Sequence, residues 1–143
     1  MTAETKTLDL TLSRTIPASP AEVYDAWMDP TNPGSVWHGH QKLRIEPKLD
    51  GLFYLVHRND AGDEFPHFGR FLLLERGRKA QNTWMSRFTR GVESIVTVSF
   101  EKQGEDTLLT IRHTGLPDEE AHRGHERGWN MFLGRIADGF KGR

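Results

Sequence analysis

Three observations predict an α+β fold in which a curved seven-stranded antiparallel sheet wraps a long C-terminal helix. Residues 42 to 114 repeat short β-rich runs punctuated by turn residues, and turn signals roughly every 8–12 residues mark antiparallel hairpins. A further alternating run lies near the N-terminus. The C-terminal segment carries apolar and aromatic side chains at steps of three and four, the stripe of one amphipathic helix. Successive hairpins leave no room for crossover helices, so that helix must lie on a face of the sheet. A sheet this wide twists, and a curled sheet around one helix encloses space.

The elements follow in order. Leu8, Leu10 and Leu12 alternate with Asp9, Thr11 and Ser13, a half-buried first strand whose phase continues to Arg14. Ser19-Pro20-Ala21-Glu22 combines an N-cap, a proline suited to the first helical turn and a capping-box glutamate. Val23, Tyr24, Ala26 and Trp27 then give a short amphipathic helix, which Asp29-Pro30 ends. Thr31 to His40 reads as loop or broken helix. Strands are expected over about 42–46, 52–58, 66–75, 82–90, 93–101 and 107–114. Asp50-Gly51, residues 59–63, Gly77, Gly91 and residues 104–106 punctuate them. Asp118 caps the last helix, and Glu119 and Glu120 suit its positive N-terminal dipole. His122, His125, Trp129, Phe132, Leu133, Ile136 and Phe140 form its stripe. Residues 1–143 read as one domain with its core at about 8–140.

Composition narrows the function. Lys and Arg number 19 and Asp and Glu 20, a net charge of -1 that lacks the basic excess of a nucleic-acid binder. No run approaches the ~20 apolar residues of a membrane span. The N-terminus lacks a basic segment followed by an apolar one, so a cytoplasmic location is expected. Cysteine is absent, which excludes disulfides, Cys-based zinc sites and a Cys nucleophile. The aromatic supply is generous, with 8 Phe, 4 Trp and 2 Tyr, enough to fill a core or to line an apolar cavity.

Residues 17–27, Pro-Ala-Ser-Pro-Ala-Glu-Val-Tyr-Asp-Ala-Trp, resemble the first-helix motif of the START-like helix-grip superfamily (SRPBCC, Bet v 1-like). Trp37 matches a tryptophan common there. Asp50-Gly51 with Phe53, then Gly69, then Trp84 resemble strand landmarks of the branch named for the activator of Hsp90 ATPase, although that branch often carries a glycine pair where this chain has only Gly51. Gly128-Trp129 with Leu133 and Ile136 resembles the C-terminal helix motif of that branch. The resemblance runs from about residue 8 to residue 140 and implies the helix-grip fold. The superfamily includes lipid carriers, hormone receptors, polyketide cyclases and co-chaperone domains, so it leaves activity open.

The period-two phases place Phe53, Leu55, His57, His67 and Phe71 on one concave face, followed by Trp84, Ser86, Phe88, Val98, Ile111 and His113. His125, Trp129 and Phe132 face them from the helix. With Trp37, these residues either pack a core or line a ligand cavity. The resemblance favours lining for Trp37, Phe53, Phe71, Trp84 and Trp129. Binding of a small hydrophobic molecule, a lipid or an aromatic metabolite, is the preferred function. One alternative is a cyclase- or hydrolase-like enzyme with His57 or His113 as base and Arg14 or Ser86 orienting the substrate. A second, which the resemblance implies, is an Hsp90-type co-chaperone with a chaperone partner; a homodimer is also open. His38-Gly39-His40 and the His122/His125 pair lack the further ligands of a zinc or iron site, so neither metal nor cofactor is expected. Gly124, Gly128, Gly134 and Gly139 each cost ~1 kcal/mol in a helix relative to alanine. They read as close approach to the helix backbone or as weak selection on its solvent side. Arg76-Gly77-Arg78-Lys79 reads as a solvated hairpin turn.

Overall fold

A computed structural model of the chain describes residues 7–32, 35, 37 and 42–141. The alternating leucines form β1 (Leu8–Ile16) and the capped segment forms α1 (Pro20–Met28). Six strands follow: β2 (Leu43–Ile45), β3 (Leu52–Arg58), β4 (Glu64–Glu75), β5 (Lys79–Trp84), β6 (Ser94–Gln103) and β7 (Asp106–Leu116). The last element is α2 (Glu119–Phe140). The strands form one antiparallel sheet in the order β1-β7-β6-β5-β4-β3-β2. This is the curved seven-stranded, helix-grip arrangement that the sequence predicts.

Local chemistry sets the boundaries. Ser19 closes a full capping box on Glu22: its hydroxyl accepts from the Glu22 amide at 3.3 Å, and its own amide donates to the Glu22 carboxylate at 3.3 Å. Asp118 accepts from the Ala121 amide at 2.8 Å and starts α2. The turn before β3 puts Asp50 in the left-handed region at φ +61°, which aspartate tolerates better than most residues. A side chain at Gly51 would meet the Glu46 carbonyl at 2.1 Å, so the turn requires glycine there. At Gly69 a Cβ would sit 1.7 Å from the Thr83 carbonyl, which keeps β4 bare where β5 presses on it.

One strand differs by more than two residues from its expected span. β5 begins earlier, at Lys79, and stops at Trp84 rather than running to residue 90. Beyond Trp84, the Ser86 hydroxyl accepts from the Phe88 amide at 3.0 Å, and the Thr89 hydroxyl accepts from the Ser86 amide at 3.1 Å. These side chains close a single 3-10 turn over Arg87–Thr89, with Arg90 left-handed at φ +54°. Side-chain oxygens that satisfy the backbone locally compete with the ladder and win here.

The core fills the concave face beneath α1. Tyr24 meets Phe100 edge-on at 5.3 Å, and Ile16, Val98, Leu109 and Ile111 are fully buried around them. The Trp37 indole donates to the Trp27 carbonyl at 2.7 Å, and its ring packs against Trp27, Phe53 and Phe132. The other end of the face lies under the first half of α2, where the packing is incomplete.

Candidate functional site

A cleft of about 340 Å³ opens between the sheet and the N-terminal half of α2. Leu55 and His57 from β3, His67 from β4, Trp84 from β5 and Phe88 from the 3-10 turn form its sheet side. On α2, His125, Trp129 and Phe132 face them, flanked by Gly124, Arg127, Gly128 and Met131. A second hollow of about 320 Å³ shares Phe88, Glu120 and Gly124 with the first and extends past Phe65, Arg87 and Arg90.

Two tryptophan–histidine pairs build the cleft's inner wall. The Trp129 indole N–H donates to Nδ1 of His113 at 3.0 Å. That nitrogen therefore carries no proton, and in the neutral ring the proton sits on Nε2. Nε2 donates to the Ser94 hydroxyl at 2.7 Å, and Ser94 donates to the Trp84 carbonyl at 2.7 Å. Likewise the Trp84 indole donates to Nε2 of His125 at 3.2 Å, while Nδ1 of His125 donates to the Ala121 carbonyl at 2.8 Å. The two imidazoles meet edge-on at 4.8 Å. An imidazolium offers only donors, so protonation of either ring would break its indole hydrogen bond.

Burial enforces the neutral state. Desolvation, with a smaller contribution from neighbouring His125, pushes the pKa of His113 down to about 3. Desolvation also lowers that of His125, against the hydrogen bond to Ala121. His67 is pushed down to about 4 by burial, opposed by its bond to the Phe65 carbonyl, with small further depression from His125 and His57.

His67 differs from the other two. Its Nδ1 donates to the Phe65 carbonyl at 2.9 Å. Its Nε2 has no partner among the described residues and is not sealed from the cleft. The buried ring, packed at 5.1 Å from Trp84 and 5.8 Å from Phe88, thus presents one bare acceptor to the cleft.

The remaining sequence candidates occupy different places. His57 is exposed at the rim and stacks on Phe65 at 6.5 Å. Ser86 is buried and spends its hydroxyl on capping the 3-10 turn. Arg14 is exposed on β1 opposite Leu109, whereas His113 lies opposite Leu10. Four residues along a strand separate them by roughly 13 Å, too far for a shared proton relay. Val98 and Ile111 lie in the filled core beneath α1, and Phe71 is buried against Phe53. His38 and His40 fall outside the described residues. Among the described residues no group of three or more metal-ligating side chains is present.

Ser94, Arg127 and Met131 are not singled out by the sequence patterns, whereas Gly124 and Gly128 stand out there as costly residues in a helix. Residues 124, 127, 128 and 131 recur at steps of three and one on α2, a stripe beside the buried one. A Cβ at Gly124 or Gly128 would meet nothing within 4 Å. Their missing side chains leave open volume rather than admit a neighbouring backbone.

The sequence profile of the family described as "Activator of Hsp90 ATPase homolog 1-like protein" matches residues 17–141. The chain belongs to that family. Among its curated relatives is the "Activator of 90 kDa heat shock protein ATPase homolog" of Dictyostelium discoideum, 29% identical over 147 residues that cover 97% of this chain and 34% of the relative. This family member spans about a third of the length of the curated relatives it matches. Protein CV1439 of Chromobacterium violaceum has the same fold, with a TM-score of 0.80 and 22% identity over 94% of this chain and 98% of that one. So has a Plasmodium falciparum protein described as an HSP90 activator, with a TM-score of 0.72 and 20% identity over 90% and 92% of the two chains.

Proposed function

We propose that this member of the Hsp90-activator-like family binds a small, largely apolar molecule in the cleft between the sheet and α2. The cleft itself carries the reading. Aromatic rings wall it, glycines hold it open, and few polar groups point into it, the usual composition of a small-molecule site. The hydrogen bonding of His113 and His125 supports binding over acid–base catalysis. Both nitrogens of each ring are engaged, so neither offers a lone pair to a substrate. Native mass spectrometry of the purified protein is expected to find a non-covalent adduct that organic extraction removes. A protein that carries none, and takes up no apolar probe at saturating concentration, would overturn the reading.

A second reading follows from kinship. The Dictyostelium relative and the Plasmodium structure are named as activators of a 90 kDa heat-shock ATPase, and this chain matches one region of the former. On that reading the protein raises the ATPase rate of an Hsp90-type chaperone. A coupled ATPase assay with and without the protein tests it, and an unchanged rate would remove it.

A further inference from the structure

The polar groups around the cleft are few, and three of them make no hydrogen bond on the cleft side: His57, which is exposed at the rim with its ring stacked on Phe65, and two that lie further along the wall. His67 is one: its neutral ring, held by the Phe65 carbonyl, turns a bare Nε2 acceptor to the cleft. That acceptor stays unprotonated at neutral pH because burial holds the ring's pKa near 4. Arg127 is the other. It lines the cleft from α2, is exposed, and makes no ion pair or hydrogen bond with any described residue. The other charges nearby are already engaged. The Glu120 carboxylate binds Arg90 at 3.0 Å, Arg90 also holds Asp118, and Arg87 sits over the Phe65 ring at 5.3 Å.

The walls add a shape requirement. The Trp84 and Trp129 rings lie 5.1 Å apart, and His67, Phe88 and Phe132 continue the aromatic lining. Opposite, the bare helix backbone at Gly124 and Gly128 gives a ligand room to lie close. Offset and edge-on ring contacts favour a flat aromatic body. The volume of about 340 Å³ lies at the small end for ligand sites.

We propose that the cleft takes a flat hydroxylated aromatic acid. Its ring system lies among Trp84, Phe88, Trp129 and Phe132, its hydroxyl donates to Nε2 of His67, and its carboxylate pairs with Arg127. This assignment rests on the small-molecule reading above and names the ligand class. A saturated chain has no donor for His67. A ligand without an anionic group leaves Arg127 unanswered, and one offering only acceptors leaves the buried imidazole unsatisfied.

Isothermal titration calorimetry with four probes tests the assignment: 6-hydroxy-2-naphthoate, 2-naphthoate, 2-naphthol and laurate. The hydroxy acid is expected to bind at least tenfold more tightly than each of the others. In Arg127→Gln, an exposed change that leaves the core intact, its advantage over 2-naphthol should vanish while its advantage over 2-naphthoate persists. In His67→Phe, which keeps a ring in place, the pattern should reverse. If 2-naphthol, 2-naphthoate or laurate binds as tightly as the hydroxy acid, the assigned class is wrong and the apolar cleft stands. If the hydroxy acid is preferred but Arg127→Gln leaves that preference unchanged, the assigned contacts are wrong. If none of the four binds, the small-molecule reading falls with it.

Discussion

The two ends of the concave face are built from similar residues and end differently. Under α1, buried strand residues such as Val98 and Ile111 meet Tyr24 and the other large side chains of a capped helix, and the space closes. Under the first half of α2, strand residues of the same kind meet a helix whose positions 124 and 128 have no side chain, and a cleft remains. The strands alone therefore do not decide whether a sheet face becomes core or cavity. The side chains of the covering helix decide it. The polar content divides in the same way: buried histidines are concentrated at the open end, two of them fixed by indole donors and the third by the Phe65 carbonyl.

The largest expected effect belongs to the closed end. Ile111→Ala should cost about 2–5 kcal/mol in chemical denaturation, the range for truncating a well-packed aliphatic residue, and leave the affinity of the cleft unchanged in the folded fraction. A cost below about 1 kcal/mol would mean that this end is not filled as described.

Next is the hydrogen-bonded wall. Trp129→Phe leaves Nδ1 of His113 without its donor in a buried place, a loss of about 1–3 kcal/mol. Urea denaturation measures it, and the variant should also weaken ligand binding, unlike Ile111→Ala.

The same histidines give the open end a pH dependence. Their folded pKa values lie below the unfolded value of about 6.5, so the unfolded chain takes up protons first as the pH falls. Stability is thus complete above pH 6.5 and drops between about pH 6.5 and 3, by up to roughly 1.4 kcal/mol per pH unit for each histidine that stays neutral when folded. Denaturation midpoints across that window check the sign. A midpoint that rises on acidification would contradict the neutral network.

The smallest effect is the most discriminating. Gly128→Ala should raise stability by about 0.5–1 kcal/mol, because alanine is the better helix former and nothing opposes its Cβ. It should lower ligand affinity by narrowing the cleft. Gly69→Ala, whose Cβ would collide with the Thr83 carbonyl, should destabilise instead. Thermal melts of the pair separate a glycine kept for a ligand from one kept for packing.

Much of the fold was legible because local signals agreed with it. The capping box at Ser19, the alternation over Leu52–Arg58 and the helix start at Asp118 lie where the residues placed them. β5 was misplaced because Lys79, Gln81 and Asn82 carry no apolar alternation. Their strand conformation comes from pairing with β4 and β6. For the cleft, the aromatic and histidine positions were legible from the strand phases. The division into filled and open ends was not, since it depends on where α1 lies across the sheet. Gly124 and Gly128 were legible as unusual helix residues though not as the floor of a cleft, and Arg127 beside them carries no apolar signal to draw notice. The hydrogen bonds of Ser94, His113 and Trp129 join three separate elements, and no sequence interval encodes them.

The central claim is that ligand enters the α2 end and not the α1 end, and the four tryptophans report on both. In a proton–nitrogen correlation spectrum, the indole N–H signals of Trp84 and Trp129 lie in the cleft wall, while Trp27 and Trp37 lie in the filled core. Titration with 6-hydroxy-2-naphthoate is predicted to shift the first two and leave the second two in place. Signals that stay fixed throughout, or that move first at Trp27 and Trp37, would contradict the account.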